Sequence, residues 1–343
     1  MMIEIAAYDS REAAAIARIH ATTAPPESRS EVFDATDYPV RIEHLGQVGT
    51  MLGSLHVFAK IGLAMQKELR GLSDDDLATL GRAARGVVEL QRSIDPGTRP
   101  MIPLGGLLGA YLICRKIVGM PRHARILDIG PGCGILSLFL AEREDIERYA
   151  QIEVTQSLYI AQAQVNRIAF GDLAVDLVSD GGVGADSRCV HYPWWEIDRA
   201  FEDTYDVIMM NENMCEMPGT AFRRYLAGTR RTLAKDGLLL ISGVGRTLSP
   251  DVLADRLAAL REFEFRPVVA NQAYYHGGPL SAPNLLLVAE GHPRYATAGN
   301  QYDQLAFDES DPLVRSIYGL DRPDLPLLPR NALIGEIAGR LRS

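Results

Sequence analysis

Ile126-Leu127-Asp128-Ile129-Gly130-Pro131-Gly132-Cys133-Gly134-Ile135-Leu136-Ser137 is an apolar run that breaks at three alternate glycines and then turns apolar again. Glycine has no Cβ, so positions 130, 132 and 134 can take positive φ and bring the backbone close to a ligand. A helix starting near Ile135 would point its free N–H groups at the same place. The stretch therefore predicts a strand, a tight turn and a helix, with something polar docked on the turn. A dinucleotide site favours G-x-G-x-x-G, which needs glycine at 135, and this chain has Ile135 there.

Downstream, short apolar runs alternate with amphipathic stretches, the pattern of a parallel sheet covered on both faces. Strands are predicted at Arg125–Ile129, Ala150–Val154, Arg188–Tyr192, Asp206–Asn211, Leu238–Ser242, Arg266–Asn271 and Asn284–Glu290, seven in all. The last two lie too close for a crossover helix and should pair antiparallel at the sheet edge. Upstream, apolar residues return every three or four positions, so residues 1–120 read as a helical region. Ser73 before Asp74, Asp75 and Asp76 offers an N-cap with negative charge in the first turn, and Pro103 suits the first turn of a further helix. The division expected is 1–120 helical, 121–292 α/β, and 293–343 a Pro- and Asp-rich extension ending in a helix near Ala332–Leu341.

Composition narrows the function. A net charge of -9 over 343 residues leaves no general basic surface for nucleic acid. Cys114, Cys133, Cys189 and Cys215 lack C-x-x-C spacing, which argues against a zinc site or a disulfide framework and fits a reducing cytoplasm. The first 20 residues lack the uninterrupted apolar core of a signal peptide, and Met101–Cys114 is too short to span a bilayer. No metal and no membrane partner is expected.

The run Asp128-Ile129-Gly130-Pro131-Gly132-Cys133-Gly134 resembles the first motif of class I S-adenosylmethionine methyltransferases, E/D-x-G-x-G-x-G. The resemblance implies a Rossmann-like seven-stranded sheet and S-adenosyl-L-methionine as cofactor. It also implies that Gly130, Pro131, Gly132 and Gly134 pass under the cofactor's methionine and ribose, with Asp128 near its amino group. About 20 residues on, Glu153 closes the next strand, where an acceptor-only carboxylate can take both ribose hydroxyls. Tyr192 and Trp194, in His191-Tyr192-Pro193-Trp194-Trp195, offer flat rings for the adenine, though such rings serve equally as core.

The fourth strand runs into Asn211-Glu212-Asn213-Met214-Cys215-Glu216-Met217, a dense polar set where open α/β sheets bind ligands. Asn211, at the strand's end, is expected as a further cofactor contact. Methyl transfer to a hydroxyl needs in-line geometry and a base, for which Glu212, Glu216 and His191 are the candidates. Together with Pro193-Trp194-Trp195, this stretch is similar to a bacterial group of sugar O-methyltransferases carrying P-W-W and N-H-x-L-x-E-M, except that Glu212 replaces the histidine. O-methylation of a sugar or natural-product hydroxyl is the expected activity. N- or C-methylation of a small metabolite and a non-catalytic cofactor-binding subunit are the alternatives. Tyr274, Tyr275 and His276 are candidates for the acceptor cleft, and the helical region for a cap over it or, through Gly46, Gly49, Gly53 and Gly62, for a homodimer contact.

Overall fold

The computed structural model describes residues 4–18, 39–54, 62–97, 99–117, 124–211, 213–242, 249–271, 284–299, 302 and 308–341. The chain starts with helices α1 (Ile5–Arg18), α2 (Gly46–Ser54), α3 (Gly62–Glu68), α4 (Asp74–Ile94) and α5 (Leu104–Ile117). Helix α4 begins where the sequence indicated. The Ser73 hydroxyl accepts from the Asp76 N–H while the Asp76 carboxylate accepts from the Ser73 N–H, a reciprocal cap.

An eight-stranded sheet follows: β1 (Ala124–Ile129), β2 (Ile146–Glu153), β3 (Ala174–Asp176), β4 (Cys189–Pro193), β5 (Tyr205–Asn211), β6 (Leu233–Ser242), β7 (Arg266–Asn271) and β8 (Asn284–Val288). Its order is β3-β4-β2-β1-β5-β6-β8-β7. Strands β1 to β6 pair in parallel, whereas β8 runs antiparallel between β6 and β7, as two neighbouring strands without a crossover must. All seven predicted strands are present. The eighth, β3, was not anticipated, because three residues on an edge are too few to carry a pattern.

The helices between strands are α6 (Ser137–Leu140), α7 (Gln156–Phe170), α8 (Ile197–Ala200), α9 (Asn213–Glu216), α10 (Gly219–Thr232) and α11 (Pro250–Glu262). They divide the core in two. On one face α7 joins Ile126, Tyr149 and Cys189 of the sheet to Leu80 and Leu108 of the N-terminal helices in one apolar cluster. On the other, Leu127, Val190 and Ile208 pack with Phe201, Phe222 and Leu260 beside α8, α10 and α11. Strand order reverses at β1, which has β2 on one side and β5 on the other, so the crevice for a ligand opens beyond the C-terminal end of β1.

Helices α12 (Pro312–Tyr318) and α13 (Arg330–Arg340) belong to a tail that returns to the N-terminal helices. Gln66 grips Leu328 with both ends of its amide, at 3.0 and 2.9 Å, and the Leu325 N–H donates to Arg70 O at 2.9 Å. Arg70 reaches Asp324 at 2.9 Å, and Arg322 pairs with Asp76. Gly71, at φ +83°, permits this closeness, since an added Cβ would sit 2.5 Å from Leu325 O. Among the described residues no helix is long and apolar enough to cross a membrane.

Candidate cofactor site

The turn after β1 takes the backbone shape that its glycines allow. Gly130, Gly132 and Gly134 have φ of +67°, +63° and +74°, and the Gly130 N–H donates to Ile152 O at 2.9 Å, tying the turn to β2. The three glycines face different surroundings. A Cβ on Gly130 would lie 2.6 Å from Asn213 Oδ1, and one on Gly134 would lie 3.2 Å from the Gln162 Cα, whereas one on Gly132 would meet nothing within 4 Å. The outer two admit close packing by the protein, and the middle one faces open space. Helix α6 is a single turn starting at Ser137, shorter than the helix expected from Ile135. The turn's grip therefore rests on glycine backbone and flanking side chains rather than on a helix end.

Two buried carboxylates flank it. Asp128 is 1% exposed, and Tyr149 donates its hydroxyl to Oδ2 at 2.7 Å while Oδ1 has no partner among the described residues. Burial pushes this carboxyl up to about 7, against the pull of the Tyr149 hydrogen bond. Glu153 is also buried. Its Oε1 accepts from the Val154 and Thr155 N–H groups at 2.8 and 2.9 Å, and Oε2 accepts from Gln162 Nε2 at 2.9 Å. Burial raises it to about 7 although these hydrogen bonds favour its charge. A carboxylate offers about four acceptor sites, so three donors leave Glu153 room for another. Gln162 Nε2 donates to Gly132 O as well, and its Oε1 is without a partner.

These atoms fit S-adenosylmethionine. The open side of Gly132 admits its bulk, the unpaired Asp128 oxygen suits an ammonium group, and the remaining capacity of Glu153 suits a ribose hydroxyl. Pro131, half-buried, lies in the same turn. Asn211 ends β5 with its Oδ1 buried and without a partner among the described residues, on the same edge of the sheet.

The other sequence-predicted residues are scattered. Tyr192 is in the core beside Phe201 and Tyr205, on the face opposite Asp128. The register partner of Tyr192, Ile152, belongs to the same cluster. Trp194 donates its indole N–H to Glu12 of α1 at 2.9 Å. His191 is 0% exposed and stacks on Tyr159 at 3.8 Å, with both ring nitrogens unpartnered, and burial pushes it down to about 3. Glu216 sits half-buried in α9, whose end is fixed by Arg256 donating to Met214 O and Met217 O at 3.3 and 2.6 Å. Glu212, Tyr274, Tyr275 and His276 lie outside the described residues.

Sequence reasoning missed Gln162, Asn213 and Arg256. Asn213 donates to Ile129 O and packs on Gly130, locking α9 against the turn. Gln162 left a faint mark, as one of several amides in the otherwise apolar run Ile160-Ala161-Gln162-Ala163-Gln164-Val165-Asn166.

No protein-family model and no curated protein matches the chain. Among solved structures, 313 chains match. One is a TehB-like SAM-dependent methyltransferase from Corynebacterium glutamicum, 20% identical, covering 52% of this chain and 88% of that one, with a TM-score of 0.37. Another is the magnesium protoporphyrin IX methyltransferase of Synechocystis with bound SAH, at 12% identity, 59% and 94% coverage and a TM-score of 0.38. A third is the ribosomal protein L11 methylase of Lactobacillus delbrueckii, at 15% identity, 53% and 77% coverage and a TM-score of 0.36. These overlaps are loose, and the strand order with its turn carries the assignment. By that order, reversing at β1 and closing on an antiparallel pair, the chain has the Rossmann-like sheet of the class I methyltransferase fold.

Proposed function

We propose that this chain transfers a methyl group from S-adenosylmethionine to a small polar acceptor, by O-methylation of a sugar or natural-product hydroxyl. One observation carries the reading. A buried carboxylate, Asp128, keeps one oxygen unpaired beside a glycine turn whose middle residue faces open space.

When bound, the cofactor supplies an electrophilic methyl on a sulfonium. Asp128 holds the ammonium end, Glu153 the ribose, and Gly130 to Gly134 the backbone bed between them. Asn211 presents an acceptor at the end of β5. Proton acceptance falls to a carboxylate beyond that strand. Glu216 is half-buried on an α9 held rigid by Asn213 and Arg256, and Glu212 shares the stretch. A base must reach the acceptor it deprotonates, and His191, sealed under Tyr159, does not qualify. The N-terminal helices serve as the cap that shapes the acceptor pocket.

The test is calorimetry with S-adenosylhomocysteine followed by labelled-methyl transfer to a panel of sugars and hydroxylated metabolites. Binding with transfer to a hydroxyl is the expected result. Glu216→Gln should then lower kcat about a hundredfold without weakening cofactor affinity. Transfer surviving both Glu212→Gln and Glu216→Gln would move the acceptor atom to nitrogen, and a wild-type chain that binds no cofactor would end the proposal.

A further inference from the structure

Helix α1 turns Tyr8, Glu12 and Ala15 inward, a face spaced four and three residues apart. Tyr8 is 0% exposed, its ring packed at 5.2 Å from Tyr159 and 5.0 Å from Trp195. Its hydroxyl has no hydrogen-bond partner among the described residues. A buried tyrosine hydroxyl usually finds a partner, and leaving one unpaired costs on the order of 1–3 kcal/mol. After burial itself, the strongest influence on this phenol is the Glu153 carboxylate, which raises it further, with Arg41 opposing and Asp9 adding to the rise. Tyr159 lies in the first turn of α7, which starts three residues after Glu153, so Tyr8 packs just beyond the end of β2.

The helix is held over this place by specific bonds. Glu12 accepts from the Trp194 indole at 2.9 Å and pairs with Arg41. Asp9 accepts from Arg41 at 2.7 Å and from Gln156, the first residue of α7, at 2.8 Å. Gln156 Oε1 in turn accepts from the Ile42 N–H at 2.9 Å. All these anchors lie just beyond the ends of β2 and β4, on the ligand edge of the sheet.

We infer that α1 is a lid over the cofactor site and that the Tyr8 hydroxyl donates a hydrogen bond to the bound nucleoside, beside Glu153. The inference rests on the cofactor reading above and adds a residue from outside the sheet to it. Trp194 then acts through Glu12, as a latch on the lid.

The test is calorimetric affinity for S-adenosylhomocysteine and for methylthioadenosine, which keeps the nucleoside and lacks the amino acid, together with the melting temperature of the unliganded protein. Tyr8→Phe should weaken both ligands by the same factor, about fivefold. It should leave unliganded stability unchanged or raised, because it removes an unpaired buried hydroxyl. Equal affinity in wild type and Tyr8→Phe would overturn the inference while leaving the cofactor reading intact. So would a loss seen with S-adenosylhomocysteine alone, or one matched by a fall in unliganded stability. Failure of the wild-type protein to bind either ligand would overturn both.

Discussion

Two sets of buried polar groups lie near the glycine turn, and they differ in what the protein does with them. In one, Ser137, Gln151 and Asn166, at 0%, 0% and 2% exposure, close a cycle. Ser137 donates to Asn166 Oδ1 at 2.6 Å, Asn166 to Gln151 Oε1 at 2.6 Å, and Gln151 back to Ser137 Oγ at 3.1 Å. In the other, Asp128 Oδ1, Gln162 Oε1, Asn211 Oδ1 and Tyr8 Oη are buried without partners among the described residues. A fold normally satisfies most of its buried polar atoms, as this one does in the cycle, while exceptions such as the two His191 nitrogens occur elsewhere. Several left open together, on the edge where such sheets take ligands, mark a place kept for one.

The contrast can be broken most forcefully at Gly132. Valine there would occupy the open space and strain a positive-φ position, so S-adenosylhomocysteine affinity should fall at least about a hundredfold, with a folding cost of about 2 kcal/mol. Retained affinity would mean the open side of the turn faces no ligand. On the closed side, Gln151→Leu strips partners from Asn166 and Ser137, and chemical denaturation should register a loss of about 2–3 kcal/mol. Affinity per folded molecule should hardly change, and a large fall would erase the division between the two sets. Asp128→Asn should show the reverse, with unliganded stability kept or raised and affinity for S-adenosylhomocysteine down about tenfold to thirtyfold.

A pH series sharpens the comparison with a smaller effect. Asp128 and Glu153 sit at about 7 in the unliganded fold, above their ordinary values of 3.8 and 4.5. Between those values and 7 the fold holds protons that the unfolded chain has lost, so their contribution to stability falls as pH rises through that window. His191, pushed from 6.5 down to about 3, acts oppositely below 6.5, but it does so with or without ligand. An ammonium on Asp128 requires the charged carboxylate, so affinity should weaken about tenfold from pH 8 to pH 6, with proton release on binding in that range. A flat profile would remove Asp128 from the site.

The sheet was legible because buried parallel strands read as short apolar runs, and the turn because Gly130, Gly132 and Gly134 have few other uses in that order. The same property hid the orientation of Tyr192 and His191. Strand β4 is buried on both faces, so its sequence has no alternation to say which residue looks toward the ligand. Glu153 was found by its distance from the turn, whereas Tyr8 and Gln162 matter through contacts with residues remote in the chain. Tyr8 meets Trp195 across most of two hundred positions, and no local pattern encodes that meeting.

The tail that returns to α3 and α4 also bears on how the molecule is made. Arg70 and Asp324 are 254 residues apart, and Gln66 and Leu328 are 262 apart. Contacts of such separation are slow to form and cannot form before their second partner has been synthesised. Helices α3 and α4 precede the tail, so they are among the last to gain their full set of neighbours, and until the tail arrives the surface around Gln66 and Gly71 stays bare, a stretch for a chaperone to shield.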